Sequence, residues 1–142
     1  MAKSSAYSHK LVTAVLDGVR VQGLWEGDDA ITVEPGVDVG SLMVGADGSS
    51  IFSQSANESA TITLNLQHTS PTHRNLHQKW ARQRSGVLVG FPFSVIDTTC
   101  GEGGSTDQAF VMTAPTDSKG VNAVVRTWVI ICGQWTPEIP SA

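Results

Sequence analysis

Charged residues are few, making up 15% of the 142-residue chain against about a quarter in ordinary soluble domains. A free-standing helical bundle would need far more Lys and Glu to wet its outer faces. Disorder is excluded as well, because 40% of the residues are hydrophobic and the net charge is only −4. Cysteine is nearly absent. Cys100 and Cys132 are neither CxxC-spaced nor numerous enough for a disulfide framework, and they read as buried or idle thiols. Long apolar runs are missing too: the stretch Trp128–Cys132 is far too short to span a bilayer. Met1–Leu11 lacks the apolar core of a signal peptide, so the expectation is a soluble chain made in the cytosol. There is no basic excess, and a pI near 5.4 disfavours a non-specific nucleic-acid binder.

What the chain does have is Ser and Thr, 28 residues together, and 14 Gly. With the hydrophobic content, these fit a β-rich domain with many turns. The length suits one domain over 1–142, with an N-terminal arm at 1–9 and a C-terminal tail at 136–142. A low-charge exterior also suits a protein whose surface is largely covered by neighbours, since interface cores are depleted in charge.

Lys10–Leu16 and Val19–Gln22 are β-type runs around Asp17-Gly18, a strong hairpin signal. Ala30–Glu34 reads as a short strand that Pro35-Gly36 breaks. Ser41–Val44 and Ser49–Ser55 flank the turn Gly45-Ala46-Asp47-Gly48, inside a long hairpin or loop over about 35–57. Ala60–Gln67 alternates strictly, with Ile62, Leu64 and Leu66 on one face and Thr61, Thr63, Asn65 and Gln67 on the other. That predicts one packed face and one wet, uncharged face. A helix is predicted over about 71–85, with Ser70 as N-cap, Pro71 in the first turn and Gly86 as C-terminal cap. Leu76 and Trp80, four apart, are its expected anchor on the sheet. Arg74, Lys79, Arg82 and Arg84 are expected to point outward; they give the segment +4, leaving −8 elsewhere. Strands should resume at Val87–Ile96 and Gln108–Thr113, around a flexible Gly101–Gly104 loop. Val121–Cys132 closes the pattern, apolar on both faces and therefore central in the sheet.

Motifs for chemistry are absent. His73 and His77 stand one helical turn apart, but no Glu of an HExxH site lies between them, and two solvent-facing histidines is the simpler reading. Gly101-Glu102-Gly103-Gly104 lacks the Lys-Ser/Thr of a phosphate loop and reads as a hairpin loop. Asp28 with Asp29, and Asp38 with Asp47, lie in Gly-rich loops where acids ordinarily solvate turns. No G-x-S-x-G elbow occurs. The sequence points to no enzyme, no metal and no cofactor. The four cations with Trp80 could meet phosphates, an acidic protein partner or only solvent; the acidic remainder favours the latter two.

Three stretches carry a resemblance: Val44-Gly45-Ala46-Asp47-Gly48, then Asn57 through Leu64, then Leu66-Gln67-His68-Thr69-Ser70-Pro71. Together they resemble bacteriophage tail tube proteins of contractile-tailed phages, a family related to type VI secretion and pyocin tubes. That family has a Gly-Asp-Gly turn, here one residue longer, then a Thr-rich alternating strand running into Gln-x-Thr-Ser-Pro. The likeness covers about Lys10 to Trp135; the Cys100–Ser105 loop has no counterpart in it.

The resemblance implies a mainly β, two-sheet sandwich or barrel-like subunit with one flanking helix. It implies a structural virion protein, assembled in the host cytoplasm, whose hexameric rings stack into the DNA-conducting tube inside the contractile sheath. Partners would be further copies of itself, the sheath, baseplate and tail terminator proteins, with the tape measure protein and phage DNA passing without specific binding. On this reading Thr61, Thr63, Asn65 and Gln67 face the lumen. Leu42, Met43, Val44, Ile51 and Phe52 make an inter-subunit hairpin, and Arg74, Lys79, Arg82 and Arg84 face the sheath. Two alternatives stay open: a tail-completion or adaptor protein forming a single ring, and a ligand-binding β-sandwich module.

Overall fold

Asp17 and Gly18 set the first turn with φ of 51° and 79°, the left-handed pair that a two-residue hairpin of right-twisted strands requires. In the computed structural model, which describes residues 4–141, this turn joins β1 (Val12–Leu16) to β2 (Val19–Arg20). The chain continues through β3 (Ile31–Pro35), β4 (Gly40–Val44), β5 (Ser50–Gln54) and β6 (Ala60–Leu66). Helix α1 (Thr72–Arg84) follows, then β7 (Phe91–Asp97), β8 (Glu102–Thr113), β9 (Arg126–Cys132) and β10 (Thr136–Glu138). Eight strands form one antiparallel sheet in the order β2-β1-β7-β8-β9-β6-β3, with β10 also on β8. Strands β4 and β5 form a second sheet of their own. The large sheet does not close into a barrel; β2 and β3 remain its edges.

Alternation dictates the core. Buried and half-buried residues alternate along β6 and along β9. Their inner side chains Ile62, Leu64, Leu66, Trp128 and Ile130 pack in one cluster with Leu16 and Phe93 from the far side of the sheet. The sheet therefore curls over so that its two halves face each other, as in a sandwich. Each of these fully buried side chains contributes about 1.5–3 kcal/mol relative to exposure. As expected, β9 lies inside the sheet, paired to β8 and β6.

Several boundaries differ from the sequence reading. Gly101–Gly104 is not a flexible loop: Gly103 and Gly104 sit inside β8, where closeness demands glycine. A Cβ on Gly103 would meet the β7 backbone, and one on Gly104 would come within 2.6 Å of the Trp135 ring. Val87–Val89 is exposed chain ahead of β7, and the last long strand begins at Arg126 rather than Val121. The tail beyond 136 starts as β10. The N-terminal arm ends in a 3-10 turn at His9–Leu11, and residues 1–3 and 142 lie outside the described residues.

The helix begins at Thr72, with Pro71 rather than Ser70 in the cap position and no side-chain cap bond from it, whereas the C-terminal end follows the predicted chemistry. Ser70 Oγ accepts from Thr72 N (3.2 Å) and donates to Gln22 O (2.5 Å). At the other end Gly86, φ 99°, lets its own amide and that of Val87 donate to the carbonyls of Gln83 and Arg82, a Schellman cap. Among the described residues no helix is long and apolar enough to cross a membrane.

Candidate assembly surfaces

The β4–β5 hairpin stands apart from the core. Leu42 pairs with Phe52 and Met43 with Ile51 across it. Leu42, Met43, Val44, Ile51 and Phe52 are all between 58% and 63% exposed. Its tip is locally built: Gly45 N donates to Ser49 O, and Asp47 Oδ1 accepts from Ser49 N at 3.0 Å. Those hydrogen bonds from Ser49 hold the Asp47 carboxyl below its ordinary 3.8. The base is pinned to β6 by Gly36 N donating to Ser59 O and by the Ser55–Asn57–Ser59 side-chain turns. A two-stranded ribbon with apolar side chains on both faces is marginal alone. The five hydrophobic residues of the sequence reading thus share one blade, and among the described residues none covers its faces.

On the outer face of the large sheet, Thr61, Thr63 and Asn65 are half-buried and Gln67 is exposed. The face is less uniformly polar than β6 alone suggests. Directly paired residues share a face, so Thr61 lies between Glu34 and Ile131, and Thr63 between Thr32 and Val129. Asn65 is not free: its amide donates to Asp29 O (3.0 Å) and its carbonyl accepts from Thr127 Oγ1 (2.7 Å). Gln67 donates to Leu24 O (3.0 Å).

The helix face is where the sequence reading needs most correction. Lys79 does not point outward. It is 8% exposed, its Nζ donates to Asp17 Oδ2 at 2.7 Å, and it lies over the Phe91 ring at 5.1 Å. Gln83 also turns in, its amide exchanging two hydrogen bonds with Val111 N and O. Thr72, Leu76, Lys79 and Gln83 recur at helical spacing, so this stripe meets the sheet. The spacing i, i+4, i+7, i+11 is in the sequence, but three of the four members are polar, and Lys79 is the one expected to point outward. Leu76 is fully buried as expected. Trp80 is only partly buried at the stripe's margin, under the Arg84 guanidinium at 4.9 Å. Arg74, Arg82 and Arg84 are exposed.

The histidines are not simply solvent-facing. His73 Nδ1 accepts from the indole N–H of buried Trp128 (3.0 Å), and its Nε2 lies 2.7 Å from Gln67 O. These partners select the neutral ring with its proton on Nε2. Burial, with the nearby charges of His77, Arg126 and His68, pushes the His73 pKa below its ordinary 6.5 against the raising effect of Gln67 O. His77 packs edge-on against Trp128 at 4.9 Å. Buried Arg126, which carried no special expectation, donates to Ser118 O (2.7 Å) and lies 3.5 Å from Asp117. Among the described residues no cluster of His, Cys, Asp and Glu is arranged to hold a metal ion.

The sequence matches the family described as Bacteriophage PhiTE tail tube protein over residues 4–138. No curated protein sequence matches it. Among the solved structures that share the fold are the following two. The tube-terminating cap of the anti-feeding prophage is 11% identical with a TM-score of 0.63, over 96% of this chain and 93% of that one. The sheath/tube terminator of the PVC extracellular contractile injection system, in its extended state, is 10% identical with a TM-score of 0.68. That match covers 97% of this chain and 100% of the other.

Proposed function

The chain belongs to the bacteriophage tail tube family, a structural component of the phage tail, and from that membership we propose that it is the repeating tube subunit. Six copies form a ring, and rings stack into the channel inside the contractile sheath. Assembly takes place in the host cytoplasm, and the finished tube carries DNA without gripping it. The observation that carries this reading is the β4–β5 blade, whose five apolar side chains are all more than half exposed. An uncovered patch of this kind marks an interaction surface, and a neighbouring subunit supplies the cover. The Thr61/Thr63 face of β6 lines the lumen, where hydroxyls hydrate the wall and offer phosphate no cation.

A second reading has support of its own: a tail-completion protein forming one terminal ring. The two structural neighbours are a tube-terminating cap and a sheath/tube terminator, which supports this reading. Negative-stain microscopy of the purified chain separates the two. Extended tubes of uniform width are the expected result; isolated rings establish the terminal role, and monomers at high concentration overturn both.

A further inference from the structure

Between the two halves of the large sheet runs an open groove of about 1390 Å³. Its floor is apolar, with Val12, Ile31, Val33, Val95 and Trp135 among its lining. Its lining also includes Glu26, Asp28, Glu58, Asp97 and Glu102, and no Lys or Arg among the described residues. The subunit holds a surface of complementary character elsewhere. Arg82 and Arg84 end α1 in the open, and the Schellman cap then delivers Val87, Leu88 and Val89, which are 45%, 73% and 61% exposed. Two cations followed by three uncovered aliphatic residues match an acid-lined apolar trough in both charge and hydrophobicity.

The two surfaces cannot meet within one subunit. Val89 leads into Phe91 at the start of β7, whereas Asp97 at the groove ends the same strand. Seven extended residues separate those ends by about 20 Å. We infer that the Arg82–Val89 strip of one copy docks in the acidic groove of a second copy, head to tail. Such a heterologous contact closes a ring or propagates a stack. It deepens the tube reading and rests on it for the identity of the neighbour. The family resemblance directs the helix cations to the sheath; the aliphatic run beside them directs Arg82 and Arg84 to a groove with an apolar floor instead. The charges steer and select the register, and Val87–Val89 supply the burial.

The test is a charge swap on the full chain. One variant carries Arg82→Glu and Arg84→Glu, the other Glu26→Lys and Glu102→Lys, each checked for native circular dichroism. Alone, each raises the concentration needed for assembly by about tenfold or more, and an equimolar mixture restores it, because each acidic strip then faces a basic groove. Disulfide trapping supplies a readout that does not depend on tubes. In a Cys100→Ser background, a Leu88→Cys chain mixed with a Val33→Cys chain gives a covalent dimer. Trapping without tubes leaves this contact standing and sinks the tube reading. No trapped dimer, unchanged assembly of both variants, or no rescue on mixing overturns the docking. Variants that assemble normally but fail to recruit sheath overturn it in favour of a sheath contact.

Discussion

Replacing Asp17 with Asn tests whether the ammonium of Lys79 is a docking element of the helix. The substitution keeps side-chain shape and tolerance of the left-handed turn, where φ is 51°, but removes the negative charge. Lys79 would be left with a side chain 9% exposed and the Phe91 ring face as its remaining partner. Breaking a fully buried pair from one side costs about 3–5 kcal/mol. Here the Asp17 side chain is 48% exposed, so water reaches the gap, and the expected loss is about 1–3 kcal/mol. For a chain of this size that lowers the melting temperature by roughly 4–12 °C. Lys79→Met behaves differently: its apolar chain fills the same space over Phe91, and the freed Asp17 hydrates, so the cost stays within about 1 kcal/mol. Combining the two should return the protein to the Lys79→Met value. Thermal and urea melts of the four proteins measure the cycle. If Asp17→Asn costs less than Lys79→Met, the pair is a surface contact and the inward assignment of Lys79 is wrong.

Leu76→Ala should cost about 2–5 kcal/mol and Trp80→Ala clearly less, because Trp80 lies at the margin; a larger loss at Trp80 in urea melts would restore it as the anchor. Since the His73 pKa is depressed in the fold, the unfolded chain takes up that proton first. His73-dependent stability is therefore present above about pH 6.5 and is lost as pH falls below it, levelling off beneath the folded pKa. His73→Gln, which still offers an acceptor to Trp128, should flatten the fall in melting temperature between neutral and mildly acidic buffer; equal slopes would refute the role. Hydrogen exchange at Leu42–Ser55 should be fast in the dispersed subunit and slow in the tube, and strong protection in both states would mean that the blade needs no neighbour.

Much of the architecture was legible because period and punctuation are local. The alternation Ile62/Leu64/Leu66 against Thr61/Thr63 predicted β6, Asp17-Gly18 the β1–β2 hairpin, and Ser70 with Gly86 the approximate helix limits. What was not legible depends on partners distant in the chain. Lys79 is solvated in any local reading; only the arrival of Asp17, 62 residues away, turns it inward. Gln83 finds Val111, and His73 finds Trp128, by the same long-range pairing. Gly103 and Gly104 read as flexible from composition, yet they are held in β8 because β7 and Trp135 press against them. The hydrophobic blade was legible as excess apolar residues between turns, whereas the acidic groove was not, since its lining comes from segments spread along the chain.

Strand β8 touches both arms of the sheet: β7 along one side, and β9 and β10 in succession along the other. Its lateness in the chain sets the timetable of synthesis. The β4–β5 blade is closed by neighbours in sequence and can form as soon as residue 54 has left the ribosome. The strands that bury Leu16, Ile62 and Leu64 await residues beyond 90, and β6 has no inner neighbour until β9 emerges. A growing polypeptide therefore displays an adhesive tip well before it has a folded body. On the groove-docking proposal, the groove that receives a neighbour's Arg82–Val89 strip is lined in part by residues 95–103 and 134–137, so that contact has to wait for the last third of the chain, whereas the blade is on display from the first half.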